Sequence, residues 1–204
     1  MSRNDFISLS DVYPDIKIQA DYSTEENFTG QIVPGYKAMK AMLANVPAKA
    51  LSEVQKDARS RGLCLKIFDG YRPVKAVKFF LEWSNLPEEN PELKEIYYPK
   101  YSRIELFQNG FLSEKSSHSR GCTVDLTLID DVLGTELDMG SRFDYFDSIS
   151  HTDSPLISTH QMQNRLLLKS LMEAHGFKNY SKEWWHYTYR PEPYPDQTFD
   201  FDIE

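Results

Sequence analysis

A chain of 204 residues with a net charge of -8 is long enough to bury one sizeable core and short for two. Its 40% apolar and 26% charged residues are the proportions of an ordinary water-soluble globular protein. The acidic balance, with no cluster of Lys and Arg, excludes an ordinary nucleic-acid binder and argues against anionic membranes as partner.

No window approaches ~18 consecutive apolar residues, so no transmembrane helix is expected. The N-terminal MSRNDFISLSDVYPDI lacks an apolar h-region and does not read as a signal peptide. Two cysteines, Cys64 and Cys122, are too few for a disulfide framework and lie in apolar stretches, so both are expected as buried thiols. The expected compartment is the cytoplasm, or the periplasm if a leader has been removed.

The first 36 residues are rich in Pro, Asp, Tyr and Asn and are expected to be irregular. From Pro47 to Arg61, Leu51, Val54 and Ala58 recur at helical spacing, and Gly62 follows. LCLKIF reads as a strand that DGYRP ends, and Pro73 is placed to open a helix through VKAVKFFLEW. Residues 85–115 read as a surface excursion. In CTVDLTLI the apolar Cys122, Val124, Leu126 and Leu128 alternate with Thr123, Asp125 and Thr127, so Asp125 is expected on the face away from the core. Residues 159–175 predict a helix whose inner face carries Met162, Leu166, Leu167 and Leu171, with Gly176 as its C-terminal stop. A last strand starts near Trp184, and the tail after Arg190 is too Pro-rich and acidic for regular structure. These elements predict an α+β fold: a single domain over residues 1–204, with a central, half-exposed antiparallel sheet flanked by helices.

Zinc catalysis needs three protein ligands, an open position and a base. SSHSRGCTVDL places His118 and Asp125 seven positions apart around Gly121, just ahead of a strand. Of the other histidines, His160 and His175 lie near the ends of a long helix and His151 in a polar loop. His186 sits in a strand in EWWHY, three residues after Glu183, a carboxylate suited to take a proton from water. Residues three apart on a strand face opposite ways, so Glu183 is expected in the turn before the strand. Arg72 in DGYRP could hold a carbonyl or carboxylate through two hydrogen bonds, or be a structural arginine paired with Asp69. Equally, Asp125 alone reads as a solvated strand residue and His186 as a hydrogen-bonded core histidine.

SSHSRGCTVDL resembles the SxHxxGxxxD motif of the D-Ala-D-Ala metallopeptidases, and EWWH matches their ExxH. Three further stretches, ENFTG with PGY, DGYRP, and LDMGSRFDYFD (137–147), are similar to the D-alanyl-D-alanine dipeptidases of the vancomycin-resistance type. The motifs run from about Asn27 to His186. The resemblance implies one Zn2+ on His118, Asp125 and His186, with Glu183 as the general base for metal-bound water and Arg72 as oxyanion stabiliser. It places Ser116 in the substrate pocket and makes Asp144 the partner of a dipeptide's ammonium. Two departures stand beside the ligands: Thr123 where the family usually has Ala, and Cys122 where Ser is common.

The function so implied is zinc-dependent hydrolysis of D-Ala-D-Ala to two D-alanines. A D,D-carboxypeptidase acting on peptidoglycan stem peptides shares the core motifs, and a zinc-bearing non-catalytic binding protein is a third reading. The expected partner is a small dipeptide. A homo-oligomer stays open, since exposed tyrosines and Trp83 could line an interface or the rim of the core.

Overall fold

A computed structural model describes residues 3–204; Met1 and Ser2, the start of the N-terminal stretch read above, lie outside the described residues. The strands are β1 (Phe6–Ser8), β2 (Lys17–Ile18), β3 (Met42–Ala44), β4 (Leu63–Asp69), β5 (Thr123–Asp130), β6 (Phe177–Tyr180) and β7 (Glu183–Tyr189). The helices are α1 (Leu9–Val12), α2 (Asn45–Arg59), α3 (Val74–Ser84), α4 (Pro91–Tyr97), α5 (Arg103–Gln108) and α6 (Thr159–Ala174). None is long and apolar enough to cross a membrane. The fold is α+β, as expected.

Strands β1 and β3 form a small antiparallel pair, and the main sheet has the order β2-β4-β5-β7-β6. It is antiparallel except at one edge, where β2 runs parallel to β4. The first 36 residues, expected to be irregular, thus supply short elements to both sheets. Every residue of β5 from Thr123 to Ile129 is buried, so the centre of the sheet is covered on both faces, while the edge strand β6 leaves Lys178 and Tyr180 exposed. The half-exposed sheet expected from alternation is therefore corrected. Asp125 faces a polar cavity and Thr123 bonds Ser117 and Thr188, which leaves the same alternating pattern as a solvated face.

α2 starts at Asn45, two residues before the expected start, directly after β3. Pro47 then lies in the first turn, where no backbone N–H is needed. The excursion over 85–115 holds α4 and α5 and buries Tyr97, Tyr98, Leu106, Phe111 and Leu112. Trp83 is buried under it, beside Tyr98 and Phe28, which removes it from any interface or rim. Both cysteines are buried and unpaired. The irregular tail packs inward: Phe199 and Ile203 are buried, and Tyr71 donates to the Phe201 carbonyl.

α6 departs from its expected face. It buries Asn164, Arg165, Leu168, Leu171 and Met172, while Leu166 is half exposed. The cause is Arg165, a fully buried cation with no acid partner. Its guanidinium donates to the carbonyls of Met139, Ile149 and His151 and reaches Ser141 Oγ, stitching residues 139–151 to the helix. Burial pulls its pKa down to about 10. Hydropathy gives no hint that an arginine should point inward. Arg165→Met should orphan those carbonyls and cost about 3 kcal/mol. A thermal melt should record a fall on the order of 10 °C.

Candidate active site

The site is built on one row across the sheet. Asp69 of β4 stands opposite Asp125 of β5, and Asp125 stands opposite His186 of β7. The β4–β5 register shifts between Ile67 and Asp69, an irregularity that turns Asp69 toward Asp125. His118 arrives from a short 3-10 turn, Ser117–Arg120, that ends on Gly121 at φ 71. A side chain at Gly121 would also collide with the Phe6 ring, 2.2 Å from an ideal Cβ, so glycine is required twice over.

Three ligand-type atoms converge. His118 Nε2 lies 3.3 Å from Asp125 Oδ2, His186 Nδ1 lies 3.0 Å from Asp125 Oδ1, and the two ring nitrogens are 3.4 Å apart. Tetrahedral coordination at zinc's bond lengths puts neighbouring ligand atoms about 3.3 Å apart. The Gly70 carbonyl accepts from His118 Nδ1 at 2.6 Å, which fixes the tautomer that turns a bare Nε2 lone pair to the centre. Asp125 Oδ1 is buried and has no hydrogen-bond partner despite its nearness to His186. Unprotonated acceptors facing one another at this range are a donor set for a cation. Among the described residues this is the metal-competent group of His, Cys, Asp and Glu side chains, and two imidazoles with one carboxylate suit zinc.

The charges agree. Burial raises the pKa of Asp125, but the His118 and His186 imidazoles outweigh it and hold the carboxyl well below its usual range. Burial lowers that of His186, against the pull of Asp125. Glu183 Oε2 is 3.4 Å from His186 Nδ1. Burial, with the negative charges of Asp125 and Asp144, raises the Glu183 pKa well above the usual range. Glu183 is the first residue of β7, where a turn had been expected. Tyr187 pairs with Asn179 and Glu183 with Tyr180, so Trp184, Trp185 and His186 bulge away from β6. The bulge breaks strict alternation and brings Glu183 and His186 to the same place.

Arg72 is paired with Asp69, as its structural reading expects. Its Nε donates to Asp69 Oδ2 at 2.8 Å, and Nη2 lies 3.4 Å from Asp125. The guanidinium sits over the rings of Tyr22 and Phe80. Among the described residues Nη1 has no hydrogen-bond partner, and Arg72 lines the cavity. Asp144 takes φ 57, the left-handed region, and is buried against Tyr22, whose hydroxyl donates to it at 2.8 Å. Burial pushes the Asp144 pKa well up. Ser116 Oγ caps the His118 turn by accepting from the His118 N–H, and the residue lines the same cavity.

All seven residues singled out from the sequence, His118, Asp125, His186, Glu183, Arg72, Ser116 and Asp144, line one cavity of about 510 Å³. His151, His160 and His175 do not line it. Sequence reasoning missed Tyr22, which lies in a segment without periodicity, and the Tyr36 hydroxyl that donates to Asp69. The ENFTG and PGY stretches near them were the available signal. Asp69 holds Arg72 by a buried ion pair. Asp69→Ala should therefore destabilise the chain by about 3 kcal/mol in a denaturant titration, because it strips a buried guanidinium of its main partner.

The D-ala-D-ala dipeptidase family model matches residues 2–204. A D-alanyl-D-alanine dipeptidase of Enterococcus faecium is 42% identical, over 98% of this chain and 98% of its own. That of Streptomyces coelicolor is also 42% identical, over 98% of both. That of Escherichia coli is 32% identical, over 90% of this chain and 83% of its own. A solved vancomycin-resistance D,D-pentapeptidase in complex with Zn(II) shares 16% identity and a TM-score of 0.42, over 85% of this chain and 82% of that one. With a family match along nearly its whole length and relatives 42% identical over 98% of it, the chain belongs to the D-ala-D-ala dipeptidase family.

Proposed function

We propose that the chain is a zinc-dependent dipeptidase that hydrolyses D-Ala-D-Ala to two D-alanines, residues 1–204 acting as one catalytic domain. The observation that carries this reading is the convergence of His118 Nε2, Asp125 and His186 Nδ1, with Glu183 and Arg72 around them, in one cavity. His118, Asp125 and His186 would hold one Zn2+. Bound there, zinc supplies a Lewis acid that polarises a carbonyl and makes water more acidic.

The protein's own groups divide the remaining work. Glu183, whose proton affinity burial has raised, takes the proton of the attacking water and delivers it to the leaving amine. Arg72, held by Asp69 and Asp125, aims Nη1 at the oxygen on which negative charge grows. Its aromatic packing against Tyr22 and Phe80 limits its motion, so little reorganisation is needed. Asp144, braced by the Tyr22 hydroxyl, pairs with the free ammonium of the dipeptide. Lys178 in the same lining favours the free carboxylate. A cavity with an acid deep inside and lysines at its lining fits a small zwitterion. The sparse, unpaired cysteines accord with work in the cytoplasm.

The test is free-amine release from D-Ala-D-Ala, beside N-acetyl-D-Ala-D-Ala and L-Ala-L-Ala, with and without a chelator. Chelator-sensitive cleavage of D-Ala-D-Ala alone is expected. Cleavage of the acylated peptide would favour a D,D-carboxypeptidase, and no cleavage with zinc present would favour a binding protein. Glu183→Ala should keep its zinc by metal analysis and lose about 10²–10⁴-fold in kcat. Unchanged turnover would remove Glu183 as the base. Asp144→Ala should raise KM for the free dipeptide by about tenfold or more, the worth of a charge-assisted hydrogen bond. An equal effect on acylated and free peptides would remove Asp144 as the ammonium partner.

A further inference from the structure

One wall of the active cavity is a lip, residues 109–115, that follows α5. The lip is joined across the cavity mouth to the β6–β7 turn by two hydrogen bonds. Tyr180 donates its hydroxyl to the Gly110 carbonyl at 2.9 Å, and Lys182 Nζ donates to the Asn109 carbonyl at 2.6 Å. Gly110 sits at φ 77, and an added Cβ would lie 3.0 Å from the Tyr180 hydroxyl and 3.3 Å from Lys182 Nζ. The backbone must pass this close for both bonds to form, and glycine permits it.

A second cavity, of about 500 Å³, lies beside the first. The two share Gly110, Leu112, Ser113, Lys115 and Tyr180 in their linings. The joined lip is thus the partition between an inner reaction chamber and an outer groove. Phe111, in the lip, packs against Phe146 at 5.7 Å between ring centroids, and Phe146 is two residues from Asp144. Phe111, Phe146 and Asp144 all line the chamber, so the partition and the proposed ammonium partner bound the same space. Tyr180 also lays its ring edge-to-face on His186, at 5.7 Å, so it touches both the lip and a metal-ligand candidate.

From this geometry we propose that the Tyr180–Gly110 and Lys182–Asn109 bonds form a latch that limits the substrate to dipeptides by closing the chamber on its amino side. The proposal rests on the dipeptidase reading and names its specificity device. With the latch formed, a peptide extended by one residue at its amino end meets the lip. With the latch broken, the lip can swing and the chamber opens into the outer groove, which has room for that residue. This boundary adds to Asp144: charge selects for an ammonium, and the latch selects for where the chain ends.

The experiment compares wild type with the double variant Tyr180→Phe/Lys182→Met, which keeps the ring on His186 and removes both donors. Two quantities are read. One is the ratio of kcat/KM for D-Ala-D-Ala to that for Gly-D-Ala-D-Ala. The other is amide hydrogen exchange at residues 110–112, whose N–H groups bond to carbonyls of α5. The ratio should fall at least fivefold in the variant, chiefly through a lower KM for the tripeptide, and exchange in the lip should quicken at least tenfold. Faster exchange with an unchanged ratio would overturn the specificity role, and unchanged exchange would overturn the latch itself. If wild type cleaves neither peptide, the dipeptidase reading fails, and the exchange measurement still decides the latch.

Discussion

The structure turns on an excess of buried negative charge. Asp69, Asp125, Asp144 and Glu183 are all sequestered from water around the guanidinium of Arg72. Burying carboxylates is costly unless cations or hydrogen bonds offset them. Part of the offset is internal: Arg72 and Tyr36 serve Asp69, Tyr22 serves Asp144, and Arg72 also reaches Asp125. On the proposed function, the remainder is offset by a metal ion at the histidines and an ammonium at Asp144. On that reading, the same imbalance selects cationic groups as ligands.

This electrostatic strain requires a rigid frame. The row Asp69, Asp125, His186 spans neighbouring strands at the centre of the sheet, where both faces are covered and the backbone is fixed by ladder hydrogen bonds. The local departures from regularity are where the chemistry sits: the β4 shift at Asp69, the β7 bulge at His186, the left-handed Asp144. Asp144 and His186 are turned into the cavity, and Asp69 is turned against Arg72. Arg165 makes the Asp144 loop tolerable by satisfying its carbonyls from within the core. The C-terminal tail does similar work for the arginine loop, through the Tyr71–Phe201 bond and the ion pairs of Asp202 with Lys37 and Lys75.

How much of this was legible beforehand depends on the kind of residue. Ligands carry their own chemistry, so His118, Asp125, His186 and Glu183 stood out by type and spacing, and the cavity gathers all of them. The helix 159–175 was legible as a helix, because 3.6-residue periodicity survives any context, yet its buried face was not, because an inward arginine looks like a solvent residue. The strand CTVDLTLI alternated correctly, but alternation cannot distinguish water from an enclosed polar chamber on its second face. Tyr22 and Tyr36 carried no periodic signal, and their partners are more than thirty residues away in the chain.

The sequence by itself therefore determined the class of fold, the candidate ligand residues and the family, since these depend on residue identity and short spacing. Only the tertiary structure decided which acid braces which base, that Arg72 is both paired and open at one edge, and that the lip meets Tyr180. Those relations are contacts between distant segments. Their energies come from burial and from distances of a few ångströms, which exist only once the sheet has brought the strands side by side.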